Sequence, residues 1–408
     1  MERTTLVIAV LLVAVFGGLF IYAIQGFGSE PEIKEVWATD GSRNTDLNHH
    51  EVSAGRVDGE TVVAAPVSTT WSNDSGRECS ITAYNGSGEV LWRHLVPSDE
   101  CYIHAIADPA VFDFNDDGTR DVVGVTSEDE VLVFDAVSGG NTFKYNISSD
   151  GYGKPISGNL TPAAGNETVV TDLEGVAYAF TSNGSLAWRK DLGDSVLATP
   201  VIDDFDRDGK NEVMTGAGIM LSNDGEVEWE DAEGTGSFLY GGQMDNAGPL
   251  EVAASGGNIL SLVNGTTGER RWNRSFNGTG GVVDGGDADG DGVTELYAGF
   301  GNKVYSINST DGDVVWDSIL TSKTDVRTAP PVKGEFTENR TYLAAATRNG
   351  KLSIIDPEDG TVLAEQRRDA KIHAYPTAAD IDGDGVDEIL VIYGDGSVSA
   401  LSFRPAEN

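Results

Sequence analysis

The stretch AFTSNGSLAW (179–188) shows the unit from which this chain is built: an apolar strand, a turn with glycine, and a second strand that carries tryptophan. Four close copies of the unit are AYNGSGEVLW (83–92), MLSNDGEVEW (220–229), LVNGTTGERRW (262–272) and SINSTDGDVVW (306–316). Two weaker copies, FDAVSGGNTFKY (134–145) and IIDPEDGTVLAE (354–365), keep the turn without the tryptophan. Short runs rich in Val, Ile, Tyr and Trp, separated by Gly, Asn and Asp, indicate strands, so the chain is predicted to be all-β.

The spacing of the repeat predicts how these strands are arranged. Phe143 and about Ala364 stand at the tryptophan position of the two weaker copies, and with them neighbouring positions lie some 41 to 51 residues apart. In an all-β chain, a period of this size is typical of four-stranded blades arranged around an axis, a β-propeller. The last repeat ends before its tryptophan strand, whereas IKEVWATD (33–40) holds a Trp37 that belongs to no other repeat. We therefore predict that this N-terminal strand completes the C-terminal blade and closes a ring of eight. The recurring tryptophan is predicted to be core that fills the space between blades.

Four acidic loops recur at about twice the blade period: DFNDDGTRD (113–121), DFDRDGKNE (204–212), DADGDGVTE (287–295) and DIDGDGVDE (380–388). An EF-hand closes with a glutamate at position twelve, between two helices. Here the closing acid stands at position nine, and a strand follows at once. Alternating oxygen ligands with a glycine at the reversal still predict calcium; the alternative is an acidic turn without metal. The predicted ligands are Asp113, Asn115, Asp117, Asp121, Asp204, Asp206, Asp208, Glu212, Asp287, Asp289, Asp291, Glu295, Asp380, Asp382, Asp384 and Glu388.

These motifs resemble two propeller families. The D-x-[DN]-x-D-G-x-x-[DE] loops resemble the FG-GAP/VCBS repeats of integrin-α-type propellers, in which such loops bind calcium structurally. The glycine-to-tryptophan strands resemble the blades of PQQ-like, quinoprotein-type propellers. PQQ enzymes of this architecture share a vicinal cysteine pair, whereas Cys79 and Cys101 are not adjacent. The resemblance implies the fold and the calcium, and it implies little about the ligand.

Charge and the N-terminus predict where the protein works. The net charge of −39, from 27 basic and 66 acidic residues, argues against nucleic acid as a partner. Such a composition resembles that of salt-adapted proteins of halophilic archaea, because molar salt screens the repulsion. Leu6 to Ile24 is uncharged and long enough to cross a bilayer as a helix. We predict an anchor over 1–29, retained or cleaved as a signal peptide, and a propeller over 30–408 that faces the exterior of the cell membrane. Eleven Asn-x-Ser/Thr sequons fit that location, as does a candidate Cys79–Cys101 disulfide, free thiols being the alternative.

The segments ahead of the innermost strands are predicted to line one mouth of the central channel. They contain a set of His, Tyr and Arg side chains that could form a ligand-binding patch: His50, His104, Tyr152, Tyr240, Arg327, His373 and Tyr375. The alternative is that these side chains only fill the channel. No catalytic motif is evident, so the predicted function is non-enzymatic binding of a protein or glycan in adhesion or envelope assembly. The alternatives are a quinoprotein-like dehydrogenase or a polysaccharide lyase using the funnel, and a membrane-associated assembly scaffold.

Overall fold

Each repeat forms a four-stranded antiparallel sheet in the computed structural model. The structure describes residues 13–15, 18–20, 30–41, 48–57, 59–68, 78–162, 165–230, 236–245, 248–288, 290–323, 326–338 and 340–406. Within these residues there are eight such sheets, which confirms the predicted eight-bladed, all-β propeller. Apolar side chains on both faces of the second and third strands of the blades form the core, because those strands are covered on both sides by neighbouring blades.

The blades are numbered from the first complete sheet in the chain, and each is given from its innermost strand outward. Blade 1 is Ser53–Val57, Glu60–Val67, Cys79–Asn85 and Val90–Val96; blade 2 is Ala110–Phe112, Asp121–Thr126, Glu130–Asp135 and Asn141–Asn146. Blade 3 is Ile156–Gly158, Glu167–Thr171, Val176–Phe180 and Leu186–Asp191; blade 4 is Val201–Asp203, Glu212–Met214, Ile219–Leu221 and Val227–Glu230. Blade 5 is Phe238–Gly242, Glu251–Gly256, Ile259–Asn264 and Arg270–Ser275; blade 6 is Gly280–Gly286, Glu295–Phe300, Lys303–Asn308 and Val314–Ile319. Blade 7 is Val332–Thr337, Arg340–Thr347, Lys351–Ile355 and Val362–Arg367; blade 8 is Thr377–Ala379, Glu388–Ile392, Val398–Arg404 and Glu32–Ala38.

The ring closes through the strand nearest the N-terminus of the propeller. Glu32–Ala38 pairs antiparallel with Val398–Arg404, in a register that places Glu32 opposite Arg404. The innermost strand of blade 8 also contacts that of blade 1. The prediction that the N-terminal strand completes the last blade is therefore confirmed, and this pairing closes the ring between blade 8 and blade 1.

The repeated tryptophans join six of the eight blades to the blade that follows. Six indole Nε1 groups donate to a backbone oxygen in the β-turn of the following blade, at 2.7 to 3.2 Å: Trp37 to Gly86, Trp92 to Ala136, Trp188 to Asn223, Trp229 to Gly265, Trp272 to Ser309 and Trp316 to Pro357. Each ring also lies against a turn glycine with positive φ. At Gly88, with φ of 81°, a Cβ would come within 2.7 Å of the Trp37 ring. Backbone conformation and close packing therefore both require glycine there.

The structure does not support the predicted transmembrane helix over residues 6–24. Of this span it describes two short strands, Val13–Val15 and Gly18–Phe20, which pair antiparallel. The β-branched Val13 and Val15 favour a strand, and Gly18 disfavours a helix interior. The other residues of the span lie outside the described ranges. Among the residues that the structure describes, no helix is long and apolar enough to cross a membrane.

Cys79 and Cys101 are joined by a disulfide in the structure, with Cα atoms 5.4 Å apart. The bond links the third strand of blade 1 to the segment that leads into blade 2. Both cysteines are buried. This bridge spans 22 residues, so it differs from the vicinal pair of PQQ enzymes.

Candidate functional site

The four acidic loops occupy one position in the fold. Each joins the innermost strand of a blade to the second strand, in blades 2, 4, 6 and 8. The side chain at position nine turns back to accept a backbone N–H at position two. In blade 4 the Phe205 N–H donates to Glu212 Oε2 at 2.8 Å, and in blade 8 the Ile381 N–H donates to Glu388 Oε2 at 3.1 Å. The acid at position one accepts from the loop glycine, as Asp204 does from Gly209 at 3.0 Å.

These loops also bring carboxylates together. One oxygen each from Asp204, Asp206 and Glu212 lie within 4.8 Å of one another, and Asp380, Asp382 and Glu388 repeat the arrangement. Asp204 Oδ1 is buried and has no hydrogen-bond partner. Burial, with nearby carboxylates adding to it, raises the pKa of Glu212 and of Glu388 to about 7. A cluster of hard oxygen donors with an unsatisfied buried oxygen fits Ca²⁺. The predicted ligand Asp289 lies outside the described residues, and calcium at all four loops stays a prediction.

Blade 5 shows what can replace a cation in this loop. Asp245 and Glu251 stand at positions three and nine of the corresponding segment, and Met244 N–H caps Glu251 as in the acidic loops. The Arg271 guanidinium pairs with both carboxylates and reaches Glu251 Oε1 at 2.7 Å. The Glu251 side chain has no exposed surface. The guanidinium group of Arg271, from the outer strand, thus balances the charge of the two carboxylates, as a metal ion bound in this loop would.

A second candidate site lies in the central funnel. The segments that precede the innermost strands surround a cavity of about 920 Å³. Four basic side chains and two acidic ones line it: Lys154, Arg327, Lys333, Arg348, Glu51 and Asp108. This excess of positive charge is the reverse of the chain as a whole, which carries 66 acidic and 27 basic residues. An anionic ligand therefore meets less repulsion in the funnel than the net charge of the chain would suggest.

The structure brings most of the predicted funnel residues together. The cavity wall includes six of the seven: His50, Tyr152, Tyr240, Arg327, His373 and Tyr375. His104 stands behind the wall, where its Nδ1 lies 3.1 Å from His49 Nε2. Their role in binding a ligand remains a prediction. Burial lowers the pKa of His50 to about 3 and that of His104 to about 4, so both rings are neutral at pH 7.

A buried network in the cavity wall was not predicted from the sequence. Lys154 forms an ion pair with Glu51, and the Glu51 N–H donates to Asp108 Oδ1 at 2.8 Å. Burial raises the pKa of Glu51 to about 7 against the opposing effect of Lys154, and it raises that of Asp108 to about 6. Tyr375 hydrogen-bonds to Glu51, and burial together with these carboxylates raises its pKa. The network thus combines two buried carboxyl groups of raised pKa with a nearby ammonium.

Two arginines, Arg327 and Arg348, line the same cavity. Arg327 and Arg348 are exposed, and the two residues are neighbours across the backbone, because the Arg348 backbone N–H donates to the Arg327 carbonyl at 2.9 Å. Within the described part of the chain neither forms an ion pair. The pair can take a carboxylate or another planar anion through several N–H donors at once.

The sequence matches the PQQ-like repeat family described as "Outer membrane protein assembly factor BamB" over residues 76–290, 216–332 and 300–406. The chain belongs to this family. The predicted resemblance of this BamB-type propeller to PQQ-like propellers is thereby confirmed, while the FG-GAP/VCBS resemblance of its acidic loops stays a prediction. No curated protein matches the chain.

Solved structures share the fold of this BamB-type propeller. BamB from Moraxella catarrhalis is 15% identical, with a TM-score of 0.59, over 92% of this chain and 99% of that chain. The V. cholerae biofilm matrix protein Bap1 is 12% identical, with a TM-score of 0.63, over 92% and 88%. Rhamnogalacturonan lyase YesW is 18% identical, with a TM-score of 0.60, over 91% and 75%. The fold thus occurs in both enzymes and other proteins, and identity this low shows the fold alone.

Proposed function

We propose that this BamB-type propeller is a non-enzymatic binding module that holds a protein partner during assembly of the cell envelope. Calcium in the four acidic loops stabilises the ring, and the funnel holds an acidic segment of the partner. The observation that carries the proposal is the pair of exposed arginines, Arg327 and Arg348, at a cavity whose wall is richer in cations than in anions. In so acidic a chain, an accessible pair of arginines with no ion pair among the described residues favours an anionic ligand.

Membership of a family described by an assembly factor favours a protein over a small molecule as the partner. A partner segment that enters the funnel would place its carboxylates between the guanidinium groups of Arg327 and Arg348 and the ammonium group of Lys333. Buried Glu51 and Asp108 would repel a segment placed deeper on the Lys154 side. The funnel therefore favours an acidic segment at its arginine side.

The test is co-purification from solubilised cell envelope at constant high salt. Full-length protein is compared with the double variant Arg327→Ala/Arg348→Ala. The double variant Arg93→Ala/Arg189→Ala is the matched control, because it removes the same charge from outer strands far from the funnel. We expect one protein to be retained by the wild type and the control and lost from the funnel variant. The same partners in all three samples would contradict the proposal, and a retained species sensitive to glycosidase but not to protease would replace the protein partner with a glycan.

Calcium binding to the acidic loops is tested separately, by metal analysis of the protein after dialysis.

We propose that the propeller faces the exterior of the cell, since its charge and its sequons favour that side. Fractionation of cells tests this location. Recovery of the protein with the cytoplasmic fraction after lysis, and its protection from protease in intact cells, would contradict this location.

A second candidate function is a polysaccharide lyase that uses the funnel. The observation in its favour is Glu51 beside Lys154 and Tyr375, since burial raises the pKa of Glu51 to about 7. Its carboxylate would accept the proton from the carbon next to a uronate carboxyl group; the electron pair left behind would form the C=C bond as the adjacent bond to the glycosidic oxygen breaks, and that oxygen would take a proton from water. The arginine pair would then neutralise that carboxyl group. Incubation with polyuronates, followed by the ultraviolet absorbance of the unsaturated product, tests this activity. Equal absorbance with wild type and Glu51→Gln would exclude this role of Glu51.

A further inference from the structure

Three histidine rings from two blades meet beside the funnel. His49 and His50 lie in the segment that leads into blade 1, and His104 lies in the segment that leads into blade 2. Each ring offers one nitrogen, and the three nitrogens lie within 4.8 Å of one another. The closest pair, His49 Nε2 and His104 Nδ1, is 3.1 Å apart. Two imidazole nitrogens on a tetrahedral zinc ion are about 3.3 Å apart, which is close to the spacing of this one pair, and His50 would complete the set from within 4.8 Å.

His50 is oriented as a metal ligand would be. Its Nδ1 lies 3.0 Å from Asp108 Oδ1, and Asp108 is itself held by the Glu51 N–H at 2.8 Å. A carboxylate on one ring nitrogen places the proton there and leaves the lone pair on the other nitrogen. That other nitrogen, His50 Nε2, is buried and has no hydrogen-bond partner, in a side chain that is 1% exposed. A buried acceptor without a partner is costly, and a bound cation would satisfy it.

We propose that His49, His50 and His104 bind one Zn²⁺ ion at the wall of the funnel. Three imidazoles without an oxygen or thiolate ligand suit zinc or copper, and they do not suit calcium. His49 and His50 line the cavity, so a fourth coordination position can face the funnel and hold water or a ligand group.

The site is distinct from the acidic loops in place and in chemistry. Those loops join the first and second strands of blades 2, 4, 6 and 8, whereas the histidines precede the first strands of blades 1 and 2. The prediction of zinc is independent of the proposed partner, because it is measured on the protein alone.

Full-length protein is titrated with zinc chloride, and separately with cobalt chloride, in excess calcium that saturates the acidic loops. We expect one equivalent of tightly bound zinc, and with cobalt the visible absorption of a tetrahedral nitrogen site. The variants His49→Gln and His104→Gln should lose both. Asp108→Asn should weaken zinc binding by about 10- to 100-fold while the cobalt spectrum is retained. His373→Gln is the matched control, because His373 lines the same cavity outside the cluster.

His49 and His104 are half-buried, so their variants test the site even where replacement of the buried His50 prevents folding. Circular dichroism and thermal unfolding establish that each variant is folded. Zinc binding of equal strength in wild type, His49→Gln and His104→Gln would overturn the proposal, and so would the absence of zinc binding to the wild type. Copper bound in preference to zinc would keep the site and change the metal.

Discussion

The indole Nε1 of Trp37 donates a 2.8 Å hydrogen bond to the backbone oxygen of Gly86, and the ring packs against Gly88. Trp37 lies in the outer strand of blade 8, and the two glycines lie in the β-turn of blade 1. This contact therefore joins the last blade to the first. The other five tryptophans make the equivalent contact between blades that are consecutive in the chain. Of these six, Trp37 is the one at the junction between the last blade and the first.

Trp37→Ala should lower the free energy of unfolding by about 3 kcal/mol, because it removes both a large ring and a hydrogen bond. Trp37→Phe retains most of the packing and should lower it by about 1 kcal/mol. Urea unfolding at constant high salt measures both. Equal stability of Trp37→Ala and the wild type would show that ring closure does not depend on this contact.

Removal of calcium should lower the unfolding midpoint. An ion at 100 times its Kd contributes about 2.7 kcal/mol per site. Asp206→Asn with Asp382→Asn should reduce this effect, because asparagine can still accept the loop N–H bonds of 2.9 and 3.1 Å but lacks the charge. The measurement is thermal unfolding with calcium and with chelator at constant high salt. Asp311→Asn, which alters a turn outside the acidic loops, is the control. A midpoint indifferent to chelator would rule out structural calcium.

Arg271→Met should destabilise blade 5 by about 3 kcal/mol, because it leaves the buried Glu251 carboxylate without its ion pair. Calcium should not restore the loss, since position five of this segment, residue 247, is an alanine rather than an acid. Arg271→Lys, which retains the charge, should lose less. The comparison is urea unfolding with and without calcium, and recovery of Arg271→Met by calcium would contradict this account.

The stability of wild type relative to Asp172→Asn should rise as the pH falls. Asp172 has no exposed surface and accepts from the Val176 N–H at 2.8 Å. Burial raises its pKa above the ordinary 3.8, so the folded protein holds the proton more tightly than the unfolded chain. Lowering the pH from neutral towards about 4 therefore favours the folded wild type, and the relative gain ends below about 4. Urea unfolding of both proteins across this range measures it. Parallel stability curves would contradict the prediction.

Molar sodium chloride should raise the unfolding midpoint. The net charge of −39 opposes a compact state, and at molar ionic strength the Debye length falls to about 3 Å. Thermal unfolding in calcium at low and high salt measures the effect. A matched series in sucrose separates screening from general exclusion of cosolutes. A midpoint that stays constant, or falls, with salt would contradict a salt-adapted protein.

The sequence predicted the blades because their determinants are local. A turn glycine such as Gly184 and a tryptophan such as Trp188 lie within one repeat, and seven copies make the period visible. The closing strand was predicted for the same reason, since Trp37 is a repeat position without a repeat. The predicted helix over 6–24 rested on hydropathy alone, which does not distinguish an apolar helix from apolar strands.

The funnel was predicted only in part. Its histidines are rare, since the chain has only five, and they attract attention in the sequence. Glu51 and Asp108 are two acids among 66, so their types carry little information. Their meeting with Lys154 depends on how the three consecutive blades 1, 2 and 3 pack around the central axis. The available signal was Lys154 itself, a lysine beside Pro155 at the start of an innermost strand, where burial requires a carboxylate partner.

The pairing of Glu32–Ala38 with Val398–Arg404 orders events during synthesis on the ribosome. The Arg404 and Glu32 side chains that meet across this pair are 372 positions apart. The first strand of the propeller to leave the ribosome must therefore wait for the last before it can take its place. Seven blades can form while translation continues, because their strands are contiguous in the chain. The eighth can form only when translation of the propeller is complete, so in each newly made molecule the closing step comes after synthesis and depends on a contact of very high sequence separation.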